Sequence, residues 1–110
     1  MGEYWLFKTI PLSFIIEHYN STKDNYITIL ANNYDKTVSI HKNDLKHCID
    51  LLKQLVNEII NINGVICKFD IDQNIVDLLK ELDLKYIICT SKSLTTHNIL
   101  VLTMDELLQL

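Results

Sequence analysis

The sequence predicts an α/β (or α+β) domain: a mixed β-sheet containing a hairpin and one βαβ unit, with helices packed on it. Three observations carry this. Residues Gly64–Lys92, GVICKFDIDQNIVDLLKELDLKYIICTSK, read as strand, helix, strand. Two β-rich runs, Tyr26–Ala31 and Thr37–His41, flank Asn32-Asn33-Tyr34-Asp35, which is a hairpin signal. Between these regions Leu45, Cys48, Ile49, Leu52, Leu55, Val56, Ile59 and Ile60 recur at three- and four-residue steps, the spacing of an amphipathic helix.

The elements follow in order. Tyr4–Ile10 packs aromatic and aliphatic residues densely enough for a mostly buried strand. Pro11 suits the first turn of a short helix with Leu12, Ile15, Ile16 and Tyr19 on one face. The hairpin comes next. Asn43 is the expected cap of the long amphipathic helix, Asn43–Ile62, and Asn63-Gly64 its expected stop, because glycine accepts the left-handed conformation at a helix C-terminus. Val65–Phe69 is a strand. Asp70 or Asp72 caps a helix bearing Ile75, Leu78, Leu79 and Leu82, and Asp70 with Gln73 resembles a capping box. Tyr86–Thr90 and Ile99–Leu102 are strands. Thr103 with Glu106 is a capping box for a last short helix. The expected order is β-α-β-β-α-β-α-β-β-α.

Bulk composition narrows the class. At 110 residues the chain makes one small globular domain, residues 1–110. Hydrophobic residues are 48% and charged residues 22%, a globular balance rather than a disordered one. With one proline and two glycines, the loops must be short or built from Asn, Asp, Ser and Thr, as at Asn20–Asn25, Asn32–Asp35 and Ser91–Asn98. The net charge is −4 and all ten basic residues are lysine. Lacking arginine, the bidentate reader of phosphate and guanine, the chain is ill suited to tight duplex binding. Cys48, Cys67 and Cys89 are odd in number and lie inside apolar patterns, which fits a reducing, cytoplasmic setting better than a disulfide framework. The apolar start lacks a basic leader and a cleavage site, and no apolar run is long enough to span a bilayer.

The candidate site is conditional on topology. If strands 65–69 and 86–90 are parallel neighbours, Asp70 and Asp72 share one sheet edge with Thr90, Ser91 and Lys92, where α/β proteins place ligands. Two carboxylates at a strand end can hold Mg²⁺ against a phosphate. The bland reading of the same pair is helix capping, worth about 1 kcal/mol each. The four histidines have no metal-ligand spacing, and two glycines exclude glycine-rich phosphate loops.

Some stretches resemble known families. The strand-borne Asp70-x-Asp72, with Thr90 at a second strand end, resembles the first two motifs of haloacid-dehalogenase-type phosphatases, which would imply Mg²⁺-dependent phosphoryl chemistry. Gln73 and Asn74 depart from that pattern, and the later lysine and acidic motifs have no counterpart. The hairpin ending Val38-Ser39-Ile40-His41-Lys42, followed by helix and strand–helix–strand, resembles the core of restriction-endonuclease-like domains. Ile40 stands where that family has an acid, and Asp24 or Asp35 would be the upstream acid, so the resemblance implies a catalytically silent member. Leu102-Thr103-Met104-Asp105-Glu106 is similar to the end of small viral ring nucleases, whose catalytic-histidine motif is lacking; His47 is in no such context.

The functional expectation is therefore a small intracellular interaction or regulatory domain without evident catalytic machinery and without a cofactor. It is expected to self-associate, since Trp5, Leu107, Leu108 and Leu110 need covering and a chain this small gains core by dimerising. The alternative is a phosphate- or nucleotide-binding protein or small nuclease-like enzyme using residues 70–72 and 90–92, with Mg²⁺ as its ion.

Overall fold

The computed structural model describes residues 12–31, 36–55, 62–94 and 99–109. The expected first strand, Tyr4–Ile10, the hairpin turn Asn32–Asp35 and the expected helix residues 56–61 lie outside them. The described elements are α1 (Leu12–Ser21), β1 (Tyr26–Ala31), β2 (Lys36–His41), a 3-10 turn (Lys42–Asp44), α2 (Leu45–Leu55), β3 (Ile62–Asp72), α3 (Gln73–Leu79), a second 3-10 turn (Lys80–Leu82), β4 (Tyr86–Ser93), β5 (Leu100–Thr103) and α4 (Met104–Leu108).

The strands form one mixed sheet in the order β2-β1-β3-β4-β5. The hairpin forms as expected, with Tyr26 opposite His41 and Ala31 opposite Lys36. β1 also runs antiparallel to β3, whereas β3, β4 and β5 are mutually parallel neighbours. This confirms the mixed sheet and the strand–helix–strand unit.

Strand alternation sorts the side chains into two cores. On one face Ile27, Ile29, Val65, Cys67, Ile87 and Val101 pack with Leu45 and Ile49 of α2 and with Val76 and Leu79 of α3. On the other, Leu30, Ile66, Tyr86, Ile88 and Leu102 pack with Ile15 of α1 and with Met104 and Leu107 of α4. The result is three layers, helix on sheet on helix. Continuous burial of Val65, Ile66 and Cys67, and of Tyr86 through Cys89, is what a strand covered on both faces requires.

Several local expectations are corrected. Gly64 does not stop a helix. It lies inside β3, its φ is not positive, and the residue answers to a close approach: a Cβ there would meet the Tyr86 ring at 2.5 Å. Asn43 is not a cap either. His41 is the N-cap of the 3-10 turn, and its Nδ1 accepts the Asn43 N–H at 3.1 Å. Ser91–Ser93, expected in a loop, continue β4. The α3 segment stops at Asp83, whose φ of 54° supplies the left-handed residue that ends it.

Candidate functional site

The condition on the site is met: β3 and β4 are parallel neighbours, with Asp70 opposite Ser91, Ile71 opposite Lys92 and Asp72 opposite Ser93. The register is not uniform. Between Cys67 and Asp70 the β3 chain takes three steps while β4 takes two, from Cys89 to Ser91. Such a bulge bends the strand and re-aims the side chains beyond it.

The five expected residues are held by several different partners. The Ser91 hydroxyl donates to Asp70 Oδ1. Asp72 is the N-cap of α3, its Oδ1 accepting the Ile75 N–H at 3.0 Å. This realises the capping reading for Asp72, while Asp70 is held across the strand pair instead. Gln73, expected to pair with Asp70, donates from its Nε2 to Asp77 at 3.0 Å. Thr90 turns toward α1, where its hydroxyl lies 2.9 Å from the Tyr19 hydroxyl. Lys92 reaches the other way. Its ammonium donates to Val101 O at 2.9 Å and pairs with Glu106 Oε1 at 2.9 Å.

Two residues that the sequence reading passed over organise this edge. Lys68, half-buried beside the bulge, sets its ammonium 3.9 Å from the centre of the Tyr19 ring and donates to Tyr19 O at 3.1 Å. It thereby satisfies a carbonyl near the C-terminus of α1, where cations are favoured. Tyr19 thus bridges Lys68 on β3 to Thr90 on β4. A strand lysine inside an otherwise apolar run, Val65–Phe69, was the available signal. Asn25, at φ 68°, extends the pairing beyond β1: its N–H donates to Lys68 O at 3.0 Å and its carbonyl accepts from Lys42 N at 2.8 Å.

The expected capping box is present. Glu106 N–H donates to Thr103 Oγ1 at 3.1 Å, and Thr103 N–H donates back to Glu106 Oε1 at 3.0 Å. These bonds hold the Glu106 carboxyl below the ordinary glutamate range, the Thr103 backbone N–H being the larger cause and Lys92 the next. Burial acts oppositely on the thiols. Cys89 is pushed up to about 12 and Cys67 well above its usual value, both mainly by desolvation, which keeps them protonated and poorly nucleophilic. All three cysteines are unpaired.

Among the described residues no three His, Cys, Asp or Glu side chains are grouped so as to hold a metal ion, and no helix is long and apolar enough to cross a membrane. Compared with known proteins, the chain matches no family model, no curated protein and no solved structure. The class defined by the described residues is a small three-layer α/β domain with a mixed five-stranded sheet.

Proposed function

We propose that this domain acts by protein contact, as a self-associating interaction or regulatory module, through the β2 edge of its sheet. The observation that carries the reading is Val38. It sits in mid-strand on β2, 54% exposed, and among the described residues β2 pairs only with β1. An edge strand offers a row of unpaired N–H and C=O groups, and an apolar residue on it favours pairing with a second strand. A twofold pairing of β2 with its copy is isologous and joins two five-stranded sheets into one.

The polar strand ends support the same reading. Asp70, Asp72, Thr90 and Lys92 each have a partner within the fold, so a ligand there competes with internal bonds. The three unpaired thiols fit a reducing, cytoplasmic location.

Light scattering across a concentration series tests the reading. The wild type should show twice the chain mass of 12.8 kDa, and Val38→Lys should show one chain mass. A wild type that stays monomeric at all concentrations removes the proposal.

One observation favours the alternative, a phosphate or nucleotide ligand held with Mg²⁺: Asp70 and Asp72 do stand in register with Ser91 and Ser93. That reading requires Mg²⁺ with a nucleotide to raise the Tm, and Asp70→Asn with Asp72→Asn to abolish the rise. An unchanged Tm with every nucleotide eliminates it.

A further inference from the structure

The hairpin register assigns each β2 side chain to one face of the sheet. Val38 and Ile40 stand opposite Ile29 and Ile27 of β1, both in the core under α2 and α3. Lys36 shares that side by strand alternation. Thr37, Ser39 and His41 stand opposite Leu30, Thr28 and Tyr26, on the side of α1. Val38 is 54% exposed, whereas Ile40 is half-buried against its own core.

Two identical edges extend one sheet about a twofold axis perpendicular to it. The new strand pair is then antiparallel, and each helix layer stays on its own side. A residue on the α2 side must meet another on the α2 side, because a one-residue slip exchanges the faces. The axis therefore passes through a residue of β2 and not between two. An axis at Thr37 pairs only Lys36–Val38 of each β2. One at Ile40 pairs only Ser39–His41, since the 3-10 turn Lys42–Asp44 ends the strand. Val38 and Ser39 remain, and charge decides between them. With the axis at Ser39, Lys36 of each copy stands opposite Lys42 of the other, and like charges opposite one another are destabilising. With the axis at Val38 the pairing runs over Lys36–Ile40 and sets no like charges opposite. Val38 meets Val38. Thr37 meets Ser39 twice, a hydroxyl pair favoured across strands. The Lys36 stem lies over Ile40 of the other copy and its ammonium stays in water.

We propose, building on the β2-edge reading above, that two copies of the chain join in this single register, with the twofold axis at Val38. The exposed apolar side chain of the edge is then covered by its own counterpart, and α2 and α3 of both copies share one side of the joined sheet.

The test is disulfide trapping in the full chain carrying Cys48→Ser, which leaves only the two buried thiols. Val38→Cys or Ser39→Cys is added singly, with oxidised glutathione as oxidant. A cysteine on the axis meets its own copy. A cysteine one residue off the axis is displaced two residues along the ladder, about 8 Å from its copy and beyond the reach of a disulfide. Val38→Cys should cross-link at least tenfold faster than Ser39→Cys. Lys36→Glu should leave the dimer dissociation constant within about threefold at fixed ionic strength, because residue 36 faces Ile40 and not Lys42. Faster trapping of Ser39→Cys, or a dimer tightened tenfold by Lys36→Glu, overturns the register. Light scattering on the same samples separates the two failures: a dimer with the wrong trapping order overturns the register alone, whereas a monomer removes the β2-edge reading with it.

Discussion

Replacing Gly64 by alanine probes the packing at the centre of the sheet. Gly64 lies on β3, opposite Tyr86 of β4 and Leu30 of β1. The Tyr86 ring is wholly buried, at 0% exposure, in a cluster with Ile15, Leu30, Ile66 and Ile88. A Cβ on residue 64 would lie 2.5 Å from Tyr86 Cε2 and Cζ and 2.8 Å from Cδ2. Carbon contacts are comfortable at ~3.5–4.0 Å, so the ring must move by about 1 Å into filled space. Overpacking of this kind costs about 1–3 kcal/mol. Restricting the unfolded chain returns about 0.4–1 kcal/mol. The net loss should be about 1–2 kcal/mol, a substantial part of the stability of a domain this size, and about 4–8 °C in Tm for each kcal/mol. Urea unfolding should show a lower midpoint with unchanged slope. Adding Tyr86→Leu should make the double variant less destabilised than the sum of the singles. Gly64→Asn separates the two roles for this glycine. Asparagine is tolerated at a left-handed helix end but not against the ring. Wild-type stability in Gly64→Ala, or strict additivity with Tyr86→Leu, refutes the packing reasoning.

Three further outcomes are expected. Asp72→Ala should lose about 1 kcal/mol in urea unfolding through the α3 cap, and Thr103→Ala a similar amount through the capping box, with both native spectra retained. Glu106 has a depressed folded pKa, so its stabilising contribution is present above the ordinary value of 4.5 and is lost as pH falls through the lower folded value. Glu106→Gln should therefore show a shallower acid limb in Tm against pH, and an identical limb contradicts the assignment. Maleimide labelling of the folded protein should modify Cys48 alone, since Cys67 and Cys89 are buried and held protonated, and all three thiols should react after unfolding.

Local chemistry was legible in the sequence wherever neighbouring residues decide it. The hairpin, α3 with Asp72 before it, and the Thr103–Glu106 box depend on spacings of three to six residues, and each appears. Gly64 was misread because its reason is a tyrosine 22 positions away, brought opposite by the parallel register. Asn43 was misread because His41, two residues earlier, already offers the acceptor. The strand-end site was half legible. Its parallel pairing follows from strand–helix–strand order, but the β3 bulge and the Lys92–Glu106 pair are tertiary and leave no local trace, and Lys68 shows locally only as a lysine in an apolar run, without naming Tyr19 as its partner.

Self-association through the β2 edge, rather than ligand binding at the 70–72 and 90–92 strand ends, is the proposed working role of the sheet. The most direct measurement is the solution mass of the wild type, Val38→Lys and Asp70→Asn with Asp72→Asn by light scattering at matched concentrations. The wild type and the Asp variant should be dimers, and Val38→Lys a monomer. A wild type that is monomeric, or a dimer that survives Val38→Lys and dissolves with the Asp variant, contradicts it.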